Sequence, residues 1–157
     1  MVRLRGRARR GQRCRAAVPH GHWKTLTFTG ALRLDGMTAP LVLDGPMTAE
    51  AFRAYVEQVL APTLLRGDIV VMDNLAAHHH PAIRTTIEAR GASLLYLPPY
   101  SSEFNPIEKA FAKFKSILRK AAARTIPDLW DVISNAIPQF SPRECANYFT
   151  AAGYEPE

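Results

Sequence analysis

The chain has 157 residues, 47% of them hydrophobic, with two cysteines and a formal net charge of +6 from 20 Lys and Arg against 14 Asp and Glu. This length and hydrophobic content favour one globular domain and exclude a disordered chain. Two lone cysteines exclude a scaffold held by disulfides or zinc, and they favour a reducing cytoplasm. No apolar run is long enough to cross a membrane, and the Arg-rich first residues lack the apolar stretch of a signal peptide.

The chain opens with a basic arm, residues 1–17, in which residues 3–15 contain seven arginines and no acid. A second basic block, residues 109–124, contains six cations and no acid, so the rest of the chain has 7 cations against 14 anions. Two such blocks indicate a polyanionic partner, most often a nucleic acid, although either block alone would suit a solvated surface equally well. The cations expected to contact DNA are Arg3, Arg5, Arg7, Arg9, Arg10, Lys109, Lys113, Lys115, Arg119 and Lys120.

After the arm, the sequence predicts a hairpin and then a helix. Residues 22–34 alternate in polarity and are rich in β-branched and aromatic side chains, which predicts a strand. Asp35-Gly36 is a hairpin-turn signal, and Thr38–Asp44 is the predicted return strand. Thr48 then caps a helix with one apolar stripe at helical spacing. That stripe consists of Phe52, Tyr55, Val56, Val59 and Leu60.

Two short strands and four helices complete the prediction. Ile69–Met72 is a continuous apolar run, typical of a strand buried on both faces, and Ser93–Leu97 predicts another short buried strand. A short helix between them starts near Pro81 and ends at Gly91. The remaining helices are predicted from Pro106 to about Ala122, from about Pro127 to Ile137 and from Pro142 to Ala152. With an antiparallel hairpin and helix-linked parallel strands, residues 18–157 are expected to form one mixed-sheet α/β domain.

Asp73 is the first candidate for a catalytic residue. It follows the strand Ile69–Met72, and ligands gather at strand ends in open α/β sheets. An aspartate after a strand can also simply begin a turn, and Asp44 has a similar position.

Glu108 is the second candidate, and it opens the helix that carries the second basic block. A carboxylate beside a phosphate-binding surface suits a divalent metal ion, which can stabilise the attacking and leaving oxygens of a phosphodiester. Glu108 can also be the capping-box partner of Asn105, as Glu144 can be for Ser141, where we expect no chemistry.

The order and spacing of several motifs resemble the catalytic domain of bacterial insertion-sequence transposases of the mariner-like superfamily. These motifs are Val71–His78, Leu97–Ser101 and Asn105–Glu108, together with Gly21–Thr25 and Ser141–Phe149. The interval between Asp73 and Glu108 contains 34 residues, a spacing typical of that superfamily.

The resemblance implies a ribonuclease H-like fold with an acidic triad that binds two Mg²⁺ or Mn²⁺ ions, hydrolyses DNA at transposon ends and joins the freed 3′-hydroxyl to target DNA. Asp73 would be the second acid and Glu108 the third. The same resemblance places Asn74, His78 and Asn105 near the site, where His78 would contact phosphate or orient Asp73.

The sequence departs from the family pattern at the first aspartate, which normally lies on the central strand, upstream of the Arg-rich segment. We therefore expect the strands Thr25–Leu34 and Ile69–Met72 to lack their shared neighbour, and this chain alone to have little or no activity. Asp35 and Asp44 are poor substitutes for the missing acid. A fragment encoded upstream or a homodimer could complete the assembly. The alternatives are a non-catalytic DNA-binding remnant or regulator, and a small basic structural protein.

Other residues are assigned structural roles. The consecutive histidines His78–His80 do not predict a zinc site, because three adjacent side chains cannot all face one ion. His20 and His22 are interpreted as surface or strand residues. Trp23, Trp130 and Tyr148 are expected in the core rather than as base-stacking platforms.

Overall fold

A computed structural model describes residues 6–15 and 25–155 of the chain. The strands are β1 (Leu26–Arg33), β2 (Gly36–Asp44), β3 (Ile69–Met72) and β4 (Ser93–Tyr96). The helices are α1 (Ala49–Tyr55), α2 (Pro81–Glu88), α3 (Pro106–Ala121), α4 (Ile126–Ala136) and α5 (Pro142–Ala151). A π-helical turn, Val56–Leu60, and a 3₁₀ turn, Ala61–Thr63, extend α1. None of the helices in the described ranges is long and apolar enough to cross a membrane.

The capping residues and prolines identified in the sequence lie at the starts of the observed helices. Thr48 caps α1 by accepting a hydrogen bond from the backbone N–H of Ala51 at 3.1 Å. Thr125 and Ser141 accept equivalent bonds at the starts of α4 and α5, and Pro81 begins α2 as predicted. The start predicted for the first strand, residues 22–24, lies outside the described residues.

The strands β1 and β2 form an antiparallel hairpin whose two faces pack against different cores. The pairing runs from Leu26 opposite Asp44 to Arg33 opposite Gly36, with an irregularity between Thr29 and Ala31. One face packs on the first core, a cluster built mainly from α1, α2, β3 and β4. The other face packs on the second core, which is built mainly from α3, α4 and α5.

Aromatic side chains fix the hairpin on the second core. The Phe28 ring on β1 stacks on Phe114 of α3 with ring centroids 4.3 Å apart. It also meets the edge of Phe111, one turn earlier, at 6.1 Å. These contacts set the position of α3 relative to β1, and thereby the position of Glu108 at the start of that helix.

The strands β3 and β4 pair in parallel, from Ile69 opposite Ser93 to Met72 opposite Tyr96. One face of this pair contributes Met72 and Leu94 to the first core. The opposite face is not covered by the described residues, since Ile69 is 67% exposed and Leu95 is 51% exposed. The prediction of strands buried on both faces is therefore wrong, because helices pack on only one side of this two-stranded ribbon.

The two strand pairs form separate sheets in the described part of the chain, rather than one mixed sheet. Strands β1 and β3 instead both line one cleft of about 860 Å³. Among the described residues, β1 pairs only with β2 and β3 only with β4.

An ion pair holds the two sheets together at one end of that cleft. The Arg33 guanidinium, at the end of β1, donates two hydrogen bonds to the carboxylate of Asp68, just before β3, at 2.8 and 2.9 Å. The backbone N–H of Leu65 donates a third to the same carboxylate at 2.8 Å. Because Asp68 precedes β3 and Asp73 follows it, the ion pair and Asp73 are at opposite ends of the strand.

Candidate active site

Asp73 follows the last residue of β3, where it lines the cleft between the sheets. Its Oδ1 atom is buried and has no hydrogen-bond partner among the described residues. Nδ1 of His78 lies 2.6 Å from this oxygen, but the two atoms are not aligned for a hydrogen bond. A buried carboxylate oxygen without a hydrogen bond is costly unless a ligand satisfies it.

His78 is held in place from two sides. Its ring stacks on Phe52 of α1 with centroids 4.0 Å apart, and its side chain is only 16% exposed. Its carbonyl oxygen accepts a hydrogen bond from the Tyr96 hydroxyl at 2.6 Å. The imidazole therefore presents a fixed edge to Asp73. From the sequence, Phe52 is predicted only as part of an apolar stripe, and no local signal marks its contact with His78.

The other two histidines have different partners. The ring of His79 stacks on Tyr96 at 4.3 Å, and its Nε2 atom contacts Oδ1 of Asn74. Nδ1 of His80 accepts a hydrogen bond from the backbone N–H of Ala82 at 3.2 Å and caps α2. The three rings thus point to three separate partners. Within residues 6–15 and 25–155, no group of three His, Cys, Asp or Glu could hold a metal ion.

Glu108 lies in the first turn of α3, but it does not form the capping box that the sequence allows. Asn105 has the N-cap position, yet its side chain makes no capping hydrogen bond. Its backbone N–H donates to the carbonyl of Ser102 at 3.0 Å, so it does not need the Glu108 carboxylate. That carboxylate is exposed and has no ion pair with another described side chain. At the start of α5, in contrast, the Glu144 carboxylate accepts a hydrogen bond from Lys113, and its backbone N–H donates one to the Ser141 hydroxyl.

The cleft brings the candidate site residues together. Asp73, His78, Asn105 and Glu108 all line it, while Asn74 lies beside Asp73 and contacts His79. Asn105 is the only buried polar or charged residue in the described ranges, with 8% exposure. Carboxylate and amide oxygens are the ligands that Mg²⁺ and Mn²⁺ take in proteins. Asp73 and Glu108 thus each contribute to the cleft an oxygen group of the type that a divalent cation takes.

The helix α3 carries a cationic track from this end of the cleft. Lys115 and Arg119 follow Glu108 by 7 and 11 residues, which places all three on one side of the helix over about 16 Å. This side is turned away from the buried face of α3. Lys109, Lys115 and Lys120 are exposed, and Arg119 is half-buried.

Lys113 is engaged differently from the other cations of α3. Its Nζ atom donates hydrogen bonds to Oε2 of Glu144 at 2.5 Å and to the carbonyl of Gln139 at 2.8 Å. The ammonium also lies 4.6 Å from the centroid of the Phe140 ring. Tyr148 donates a hydrogen bond to the other oxygen of Glu144 at 2.7 Å. Lys113 thus ties α3 to α5, which is a different role from the DNA contact expected of it.

The remaining predicted residues have varied positions. Arg7, Arg9 and Arg10 are exposed in a segment without helix or strand. Trp130 is 51% exposed, so its expected core position is wrong, because it lies beside rather than on the apolar stripe of α4. Tyr148 packs against the second core. The predictions for Arg3, Arg5, His20, His22 and Trp23 fall outside the described residues.

Residues 1–130 match the sequence family described as DDE superfamily endonuclease. A comparison with curated proteins found no match.

Solved structures of a transposase share the fold. The Mos1 transposase paired-end complex with left transposon end matches with a TM-score of 0.52 and 18% identity, over 99% of this chain and 52% of that one. The pre-cleavage Mos1 transpososome matches with a TM-score of 0.50 and 16% identity, over 99% and 52%. The chain therefore spans about half the length of these transposase chains. The similarity indicates a mixed α/β, ribonuclease H-like fold.

Proposed function

The chain belongs to the DDE superfamily endonucleases, and from this membership we propose that Asp73 and Glu108 are metal-binding acids of a DNA transposase catalytic domain. The observation that carries the proposal is that both carboxylates line one cleft, where the buried Oδ1 of Asp73 has no hydrogen-bond partner among the described residues. The reaction is metal-dependent phosphodiester hydrolysis followed by strand transfer. Transposon ends and target DNA are the proposed partners.

The residues of the site have distinct tasks in this proposal. Asp73 and Glu108 hold the divalent ions, and His78 restricts the orientation of the Asp73 carboxylate. When bound, Mg²⁺ or Mn²⁺ stabilises charge on the attacking and leaving oxygens. Lys115 and Arg119 bind backbone phosphates beyond the cleft, on the same side of α3 as Glu108. These phosphate contacts position the DNA without reading its sequence.

A further part of the proposal is that an additional strand with a third carboxylate fills the cleft between β1 and β3. In the described chain β1 pairs only with β2, and β3 pairs only with β4. Each of β1 and β3 therefore has one edge that no described strand pairs with, and an added extended segment would pair with these edges. The third acid would then reach the Asp73 end of the cleft. We accordingly expect the 157-residue chain by itself to have little or no nuclease activity.

Metal binding and DNA nicking test the proposal together. We expect the chain to bind Mn²⁺ in calorimetry, and Asp73→Asn and Glu108→Gln each to weaken that binding strongly. The matched control is Glu50→Gln, which removes an exposed carboxylate on α1 that does not line the cleft. Equal Mn²⁺ affinity in all four proteins would contradict the assignment of the two acids.

A nicking assay on supercoiled plasmid tests two points separately: whether the proposed site is catalytic, and whether this chain alone is inactive. Mn²⁺-dependent nicking by the chain alone, abolished by Asp73→Asn, would support the transposase site and contradict the need for another strand. DNA binding that is insensitive to metal and to both acid substitutions would favour the alternative of a non-catalytic DNA-binding regulator.

The source of the additional strand can be tested in the coding DNA. The region immediately before the codon for Met1 should encode, in one of its three frames, a short apolar stretch that ends in Asp. If no frame encodes such a stretch, complementation by an upstream fragment is contradicted.

A further inference from the structure

The loop between β4 and α3, residues 97–105, displays an aromatic ring that the proposed chemistry does not use. Tyr100 is fully exposed, with a relative accessibility of 102%. Its backbone has φ of +60°, a left-handed conformation that is unfavourable for a bulky side chain. Among the described residues its ring and hydroxyl make no hydrogen bond or ring contact. The structure thus holds Tyr100 in a strained conformation without any stabilising contact in return.

Both ends of this loop are fixed beside the candidate site. The backbone N–H of Leu97 donates to the carbonyl of Met72, next to Asp73, at 2.8 Å. At the other end, Asn105 is buried and lines the cleft. Tyr100 is the third residue after Leu97, so its Cα lies within about 11 Å of that anchor. Tyr100 therefore lies in a loop whose two ends, at Leu97 and Asn105, adjoin the candidate site.

The loop restricts the movement of the ring relative to the site. Pro98 and Pro99 precede Tyr100, and their pyrrolidine rings limit the backbone dihedrals of the segment. Strained residues of this kind persist where the surrounding structure fixes them, and they cluster at ligand-binding sites. A scattered exposed aromatic residue needs no explanation, but a strained one in a loop fixed at both ends beside the candidate site does.

We propose that Tyr100 stacks on an unpaired DNA base at the mouth of the cleft. The inference rests on the proposed function, since it requires DNA to lie across Asp73 and Glu108. Aromatic stacking accepts any base, because every base has a π face. It would complement the cations of α3, which contact only the phosphates. Tyr100 would thus hold a base next to the scissile phosphate without selecting its sequence.

Binding of single-stranded oligonucleotides to the full chain tests this contact. One oligonucleotide carries 2-aminopurine and normal bases, and a second of equal length is abasic at its central positions. We expect Tyr100→Leu to weaken binding of the first by about 5- to 150-fold and to relieve its fluorescence quenching. Binding of the abasic strand should not change. Tyr100→Phe should bind as the wild type does, and Trp130→Leu controls for loss of another exposed aromatic ring.

A stability measurement accompanies the binding experiment. Tyr100→Gly should not lower the melting temperature, because glycine accepts the positive φ without strain. If Tyr100→Leu binds the base-containing strand as tightly as wild type, or weakens both strands equally, the stacking proposal is overturned while the proposed function stands. If the wild-type chain binds neither strand at low salt, the proposed function and the stacking proposal both fail.

Discussion

The imidazole of His78 links an aromatic residue of the core to a carboxylate of the site. Phe52 is buried in the first core and fixes one face of the ring, while Nδ1 of the ring contacts Asp73. Loss of an outer group that orients a metal ligand typically costs about 10- to 100-fold in metal affinity or activity. His78 is therefore a positioning residue in the proposed site.

Replacing His78 should weaken metal binding without removing a ligand. We expect His78→Ala to lower the Mn²⁺ affinity of the chain by about 10-fold or more, because the Asp73 carboxylate gains rotational freedom that binding must remove. His79→Ala is the matched control, since its ring stacks on Tyr96 and does not contact Asp73. Calorimetry at fixed pH measures both. Equal affinities for the two variants would contradict the positioning role.

At the scale of elements, two ion pairs join parts of the fold that are distant in sequence. Arg33 and Asp68 join β1 to the start of β3, and Lys113 and Glu144 join α3 to α5. The hydrogen bonds from Arg33 lower the pKa of Asp68, and the hydrogen bond from Lys113 lowers the pKa of Glu144. Both carboxylates are therefore more acidic in the folded chain than in the unfolded chain.

These lowered pKa values predict a loss of stability in acid. A carboxyl group whose pKa is lower in the folded state contributes its stabilisation above the unfolded pKa, about 4. That contribution is lost as the pH falls through the lower folded pKa. Thermal unfolding between pH 6 and about pH 2 should therefore show a smaller acid effect in Asp68→Asn and Glu144→Gln than in wild type. Identical pH profiles for Glu144→Gln and wild type would contradict the ion pair with Lys113.

Two lysines of α3 provide a matched comparison between a structural and a DNA-binding role. Lys113→Met should lower the free energy of unfolding by about 1–2 kcal/mol, because Glu144 loses its charged partner, and should leave DNA affinity nearly unchanged. Lys115→Met should leave stability nearly unchanged and reduce the salt slope of DNA binding by about 1. Denaturant unfolding and salt-dependent DNA titrations measure the two effects. A larger loss of DNA affinity in Lys113→Met than in Lys115→Met would contradict the structural role of Lys113 and the DNA-binding role of Lys115.

The sequence predicted elements better than their contacts. Thr48, Pro81 and Ser141 are local signals whose effect depends on a few neighbouring residues, and the helices begin where they indicate. The exposure of Ile69 could not be predicted, because an apolar run does not indicate which other elements will cover it. The same limit applies at Glu108, whose sequence context matches that of Glu144 although only Glu144 has a charged partner.

For the whole molecule, the charge pattern predicts how DNA binding responds to salt. The exposed cations of α3 and the arm lie on a body that is otherwise acidic. If about six phosphates are contacted, the logarithm of the binding constant should fall with the logarithm of salt concentration with a slope near −5. Fluorescence anisotropy of labelled duplex DNA between low and moderate salt measures this slope. A flat response would contradict a phosphate-binding role for both basic blocks.

The hairpin β1–β2 packs on both cores, which determines how its amide protons exchange with solvent. Phe28 and Leu32 pack on the second core, whereas Ala31 and Leu41 pack on the first. Either core with its helices can open in native-state hydrogen exchange while the hairpin stays packed on the other core. The amide protons of β1 and β2 should therefore exchange only through global unfolding, more slowly than those of the narrow β3–β4 ribbon.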